Sequence, residues 1–151
     1  MRLVIQRVLK ASVDVPAEDY SSSIGKGLLI LAAFEDADTK EDIEWTARKV
    51  SAMRIFDDSD GIMNLSVKDV GGDIMIVSQF TLFASTAKGN RPSYIKAARP
   101  EVAVPLYESF IAEVENISGR KVARGIFGAD MKVSLINDGP VTIIVDSKMK
   151  L

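Results

Sequence analysis

The chain has 151 residues, 47% of them hydrophobic, and a formal net charge of −2. This size and apolar content predict one domain over residues 1–151, and the acidic balance argues against broad binding to duplex DNA. Because the chain has no cysteine and no histidine, a disulfide framework, a cysteine nucleophile, a Ser-His-Asp triad and the commonest metal ligands are excluded. We therefore expect no metal and no cofactor. No segment resembles a signal peptide or a membrane span, so we expect a cytoplasmic protein without a membrane partner.

The first predicted elements are two strands. In the first, every second residue from Leu3 to Val15 is apolar except Arg7, so this cation is expected on the core face together with Leu9. The second is the apolar run 28–34 after Gly25-Lys26-Gly27, which is typical of a buried, central strand. Both strands are expected to contribute to one sheet.

Two helices are predicted. Thr39 is a suitable N-cap with Asp42 three residues later, and apolar residues follow at helical spacing as far as Met53. A second helix is predicted from about Glu101 to Ile117, which requires Pro105 to lie in its first turn.

The remaining elements are a turn and four further strands. Asp57–Gly61 is a predicted turn without the ligand spacing of a calcium loop. Strands are predicted at 73–84, with both faces buried, and near 122–127, 131–137 and 141–145. Together the elements predict an α+β fold with a curved or barrel-like, largely antiparallel sheet and two main helices.

Polar residues interrupt the apolar strand 73–84 at Ser78, Gln79 and Thr81, on either side of Phe80. Buried polar groups are unfavourable unless they are paired. One interpretation, which composition favours, is a strand end whose side chains cap a neighbouring loop. The other is a strand terminus that presents backbone N–H groups and a hydroxyl to a ligand.

The segment Asn137-Asp138-Gly139-Pro140-Val141-Thr142 has the composition of a turn, and a cis bond is accessible before its proline. Arg7, the cation on an apolar strand face, needs acceptors for its charge. These are either a buried carboxylate or main-chain carbonyls. We expect Arg7 to donate to carbonyls at or near Gly139-Pro140.

A third feature is the span 74–100, which contains no carboxylate. It carries Lys88, Arg91, Lys96 and Arg99. These cations form either a solvated basic loop or a local site for the end of an RNA.

These segments resemble one family over nearly the whole chain, the D-aminoacyl-tRNA deacylases of the bacterial and eukaryotic cytosolic type. The similarity rests on five stretches: Met1–Val8, Ser78–Leu82, Lys88–Ser93, Gly128–Met131 and Asn137–Thr142. Phe83 departs from the family, since many relatives carry tyrosine there.

The resemblance implies hydrolysis of the ester of D-aminoacyl-tRNA, and of glycyl-tRNA, by a homodimer whose partner is the aminoacylated end of tRNA. It places Ser78, Gln79, Phe80 and Thr81 at the ester, with backbone N–H groups near Gln79 and Phe80 stabilising the oxyanion. Gly139-Pro140, joined by a cis bond, is implied to reach the other subunit's site and exclude L-amino acids. The implied supporting residues are Arg7 and Asn137, and the implied tRNA-binding residues are Lys88, Arg91, Lys96 and Arg99.

The chemistry leaves alternatives open. Thr81 is a weak nucleophile without a base beside it, so the 2′-hydroxyl of the terminal adenosine is the more economical group to orient or activate water. Two rival functions are an RNA-end-binding module without turnover and an esterase for small metabolites that uses Thr81 as its nucleophile.

Overall fold

The computed structural model describes residues 1–150 and contains ten strands and helices of regular geometry. The strands are β1 (Arg2–Val15), β2 (Tyr20–Ile24), β3 (Gly27–Ala33), β4 (Phe56–Asp57), β5 (Met63–Leu65), β6 (Asp73–Ser78), β7 (Ala123–Arg124) and β8 (Lys132–Asp146). The helices are α1 (Lys40–Ala52) and α2 (Pro100–Ser118), with short 3-10 helices at Pro16–Glu18 and Phe80–Phe83. Neither α1 nor α2 is apolar and long enough to cross a membrane.

The main sheet has the order β2-β1-β3-β6-β7. β8 lies outside this order and pairs with β1. β1 is antiparallel to β2, β3 and β8, whereas the β3–β6 and β6–β7 pairs are parallel. The ends of the sheet approach one another, since the Tyr20 hydroxyl of β2 donates to the Arg124 carbonyl of β7 at 2.7 Å. The expected barrel-like α+β fold with two helices is confirmed, with a mixed sheet.

Apolar side chains cover both faces of this sheet and form two buried clusters. The larger cluster lies between the sheet and the helices and includes Ile5, Ile30, Val50 and Phe110, all fully buried. The smaller cluster lies on the other face of the sheet and includes Val13 and Met75. Curvature is thus stabilised from both sides, because each face removes apolar surface from water.

Helix α1 begins where the sequence predicts. The Asp42 carboxylate accepts the Thr39 N–H at 2.8 Å, which satisfies a backbone donor at the start of the helix. Burial opposes ionisation of Asp42, but hydrogen bonds from Lys148 and Thr39 outweigh it and lower the pKa of this carboxyl well below its ordinary value. Since Lys148 follows β8, this pair also joins the start of α1 to the end of the sheet.

The predicted alternation along β1 is wrong at Leu9, which is half exposed, while its neighbour Val8 is fully buried. The β1–β8 register shifts between Gln6 and Val8 and again between Val8 and Lys10. Such irregularities locally exchange the residues that face the core.

The predicted strand 73–84 is also wrong beyond Ser78, where the chain turns into the 3-10 helix. The ladder with β3 ends at the pair Ala32–Ser78, and the Gln79 N–H makes one further bond, to the Ala32 carbonyl at 2.7 Å. Since β3 ends at Ala33, the chain beyond this point has no strand to pair with, and Phe80 is 55% exposed rather than buried.

Three other boundaries differ from prediction. Helix α2 starts at Pro100, so Pro105 lies in its second turn. Proline has no N–H to donate to the carbonyl one turn earlier. Because Pro105 is exposed, water can bind that carbonyl instead. β7 is shorter than the predicted strand 122–127. The two predicted strands 131–137 and 141–145 are one strand, β8, whose pairing with β1 is interrupted.

Candidate functional site

The end of β6 forms one wall of a cavity of about 310 Å³. Ser78, Gln79 and Phe80 line it together with the end of β3 and with Phe34, which follows that strand. The opposite wall is the segment 127–131 between β7 and β8. Of the polar residues that interrupt the apolar strand, Ser78 and Gln79 therefore line an open cleft, and the cleft has the volume of a small-molecule site.

The backbone N–H groups at this wall are not equivalent. The Gln79 N–H donates to the Ala32 carbonyl, so it is not free to stabilise an oxyanion as the family resemblance implied. Phe80 is the first residue of the 3-10 helix, where N–H groups have no partner within the helix. Among the hydrogen bonds of residues 1–150, none uses the Phe80 N–H. Phe80 is therefore the candidate donor.

Thr81 is one residue further along the 3-10 helix. Its hydroxyl accepts a hydrogen bond from the Gln79 side-chain amide, Nε2 to Oγ1, at 2.5 Å. Unlike Ser78, Gln79 and Phe80, it is not among the residues of 1–150 that line the cavity. This position suits a group that orients Gln79, and the placement of Thr81 at the ester stays a prediction.

The wall at 127–131 was not predicted as part of the site. Met131 is seated against Gly125, where a Cβ would come within 2.4 Å of the Met131 sulfur. Gly128 adopts φ +78°, which favours glycine. Gly128–Met131 is one of the five stretches that resemble the deacylase family. This resemblance could have identified the segment as part of the site.

Arg7 lies opposite the second motif. Between the pairs Gln6–Thr142 and Val8–Asn137, residues 138–141 of β8 leave the ladder opposite this arginine. Its Nε donates to the Asp138 carbonyl at 3.1 Å, which confirms the expected bond beside Gly139. Nη1 donates to the Ile55 carbonyl at 2.7 Å, and the carboxylate of Asp57 is 3.5 Å from the same nitrogen. Arg7 is buried. Its planar guanidinium group therefore fixes residues 138–141, called the excursion below, against the segment that leads into β4.

Asn137 closes the base of the same excursion. Its side chain donates to the Val141 carbonyl at 3.2 Å and accepts the Val141 N–H at 3.0 Å. The Gly139–Pro140 bond is cis, and Gly139 has φ +129°. Arg7 and Asn137 therefore hold Gly139-Pro140 in a defined, solvent-exposed position.

One chain does not bring all the predicted residues together. Within residues 1–150, the lining of the cavity includes neither Gly139 nor Pro140. The predicted RNA-binding cations are exposed: Lys88, Arg91, Lys96 and Arg99. Lys96 lies 3.7 Å from the Glu35 carboxylate and above the Phe83 ring, and Arg99 is the N-cap of α2.

Comparison with known proteins gives consistent matches over nearly the whole chain. The family model described as D-Tyr-tRNA(Tyr) deacylase matches residues 4–146. The D-aminoacyl-tRNA deacylases of Flavobacterium psychrophilum and Parabacteroides distasonis are 61% and 59% identical over 150 residues, 99% of each chain. Among solved structures, the c-Myc DNA Unwinding Element Binding Protein is similar with a TM-score of 0.89 and 38% identity, over 97% of this chain and 98% of that one. A probable eukaryotic D-amino acid tRNA deacylase has the same fold, with a TM-score of 0.83 and 20% identity over 95% and 97%.

Proposed function

The chain belongs to the D-Tyr-tRNA(Tyr) deacylase family, and from this premise we propose that it hydrolyses the ester between a D-amino acid, or glycine, and the 3′ end of tRNA. Water adds to the ester carbonyl, the bond to the ribose oxygen breaks, and free amino acid and tRNA are released. This reaction removes wrongly charged tRNA before translation uses it, and we accordingly propose a cytoplasmic location.

The observation that carries this proposal is the Phe80 N–H at the wall of the cavity. It is a fixed backbone donor without a protein partner among residues 1–150. A donor of this kind, aimed at the developing oxyanion, contributes about 3 kcal/mol to an acyl-transfer transition state. Because the chain has no histidine, the 2′-hydroxyl of the terminal adenosine is the group that orients the attacking water.

The selection of D-amino acids rests on a second copy of the chain. Gly139-Pro140 lies outside the cavity of its own subunit, yet Arg7 and Asn137 hold it firmly. Inserted into the cavity of a partner, its carbonyls would accept hydrogen bonds from the α-ammonium group, and an L side chain would collide with them. Main-chain atoms then exclude the wrong enantiomer by steric conflict.

A homodimer is supported by the surface of β8. This strand of 15 residues is an edge of the sheet and pairs only with β1 among the described strands. Ile136 and Ile144 of β8 are 45% and 59% exposed, and the neighbouring Leu9 is 50% exposed. Long apolar edge strands associate unless they are covered, and a second copy provides that cover.

The decisive experiment is single-turnover hydrolysis of D- and L-aminoacyl-tRNA that carry the same amino acid. We expect rapid release from the D-ester and a rate close to the spontaneous rate from the L-ester. Binding of both without turnover would favour the RNA-end-binding module. Hydrolysis that needs no RNA, with a covalent adduct at Thr81, would favour the small-ester esterase.

A second experiment tests the dimer. Ile136→Asp places a charge on the proposed interface, and we expect a folded monomer that has lost deacylase activity. Ile62→Asp is the matched control, because Ile62 is 61% exposed in the turn between β4 and β5. Full activity in a sample that light scattering shows to be monomeric would contradict the cross-subunit site.

A further inference from the structure

An apolar shelf lies on the surface beside the cavity. It consists of Phe80, Tyr94 and Ile95, which are 55%, 41% and 93% exposed. The rings of Phe80 and Tyr94 meet edge to face, with centroids 5.2 Å apart. Ile95 directly follows Tyr94 in the chain. Neighbouring exposed apolar groups mark an interaction site when other features of the surface agree.

The position of the shelf connects the cavity with a second concavity. Phe80 lines the cavity, whereas Ile95 lines an open depression shared with Phe83 and Lys96. The loop that carries Tyr94 and Ile95 is fixed by a bridge between Ser85 and Ser93, with N–H to carbonyl distances of 2.8 and 2.9 Å. The shelf therefore borders the cavity at Phe80 and the depression at Ile95.

The charges around the shelf favour an anionic partner. The span 74–100 has no carboxylate. Its exposed cations Lys88, Arg91 and Lys96 flank Tyr94 and Ile95 in the sequence. The carboxylate that does approach, Glu35, is paired with Lys96 at 3.7 Å. Aromatic faces combined with cations are the means by which proteins bind single-stranded nucleic acid, with bases stacked on the rings and phosphates near the cations.

We propose that the shelf Phe80–Tyr94–Ile95 is a stacking platform for the unpaired nucleotides that precede the terminal adenosine of tRNA. The inference rests on the proposed function, since it takes the adenosine and its ester to occupy the cavity. The platform aligns the RNA by its bases while the cavity performs the chemistry. Substrates that lack those nucleotides lose this contribution.

The test compares kcat/KM for D-aminoacyl-tRNA with kcat/KM for the same D-amino acid esterified to adenosine alone. In Tyr94→Ser the ratio of the two values is expected to fall roughly tenfold, the scale of losing one stacked base. Tyr94→Phe is expected to keep the wild-type ratio. Ile95→Ser tests the same surface with a side chain that contributes little to folding, since it is 93% exposed. Ile62→Ser is the control outside the shelf.

The outcomes separate the two proposals. A wild-type ratio in both Tyr94→Ser and Ile95→Ser, or equal losses on the two substrates, overturns the platform and leaves the deacylase function intact. A wild-type protein that cleaves neither substrate overturns the proposed function itself. A fall in the ratio for the shelf variants, with the ratio kept in Ile62→Ser and Tyr94→Phe, establishes the platform.

Discussion

Replacement of Arg7 by lysine tests whether the guanidinium fork, rather than the charge alone, fixes the Gly139-Pro140 excursion. Arg7 bonds two carbonyls from separate parts of the chain, Ile55 at 2.7 Å and Asp138 at 3.1 Å. An ammonium group lacks the planar fork that serves both. One charge-assisted hydrogen bond is then lost, which lowers the free energy of unfolding by about 1.5–3 kcal/mol.

Urea denaturation at one fixed protein concentration measures this change, because association would otherwise alter the midpoint. For a urea dependence of about 2 kcal/mol per molar, the midpoint is expected to fall by roughly 1 M. Single-turnover deacylation is expected to fall further than the folded fraction explains, because the excursion loses its position. Arg54→Lys is the matched control, since Arg54 is exposed and its Nε donates to the Asn64 carbonyl at 2.9 Å. A wild-type midpoint and rate in Arg7→Lys would refute the reasoning.

Three further predictions concern the motifs and the α1 cap. Thr81→Ala is expected to retain a substantial fraction of the single-turnover rate, whereas a terminal 2′-deoxyadenosine lowers it by roughly a hundredfold or more; an inactive variant with normal cleavage of the deoxy substrate would instead establish Thr81 as nucleophile. In Gly139→Ala, the new Cβ would lie 2.8 Å from Val141 Cγ2 and 3.1 Å from Arg7 Nη2 at φ +129°, so we expect a stability loss of about 1–3 kcal/mol by urea denaturation and a loss of deacylation. Gly61→Ala is its control, since its φ is also positive, at +74°, but no heavy atom lies within 4 Å of the new Cβ. The pKa of Asp42 is lowered from 3.8, so the ionised carboxylate stabilises the fold fully above pH 3.8, and this stabilisation is lost as the pH falls below 3.8. Urea midpoints measured at decreasing pH should therefore fall less steeply in Asp42→Asn than in the wild type.

Much of the fold follows from local signals. The α1 cap at Thr39, the central strand β3 and the buried position of Arg7 were all predicted correctly, because burial periodicity and capping depend on residues close in sequence. Where prediction failed, at Leu9 and beyond Ser78, the outcome depended on a neighbouring strand. A register shift against β8 exposed Leu9, and the end of β3 ended β6.

For the candidate site, the sequence alone determined the available chemistry. A chain without histidine or cysteine excludes an imidazole base and a thiol nucleophile, and for this reason the proposed mechanism uses main-chain donors and the RNA's own hydroxyl. Only the tertiary structure decided which donor is free, because Gln79 is engaged by Ala32 from another strand whereas Phe80 is not. It also placed Gly139 outside the cavity of its own chain. These facts depend on contacts between residues far apart in the chain, which local periodicity does not encode.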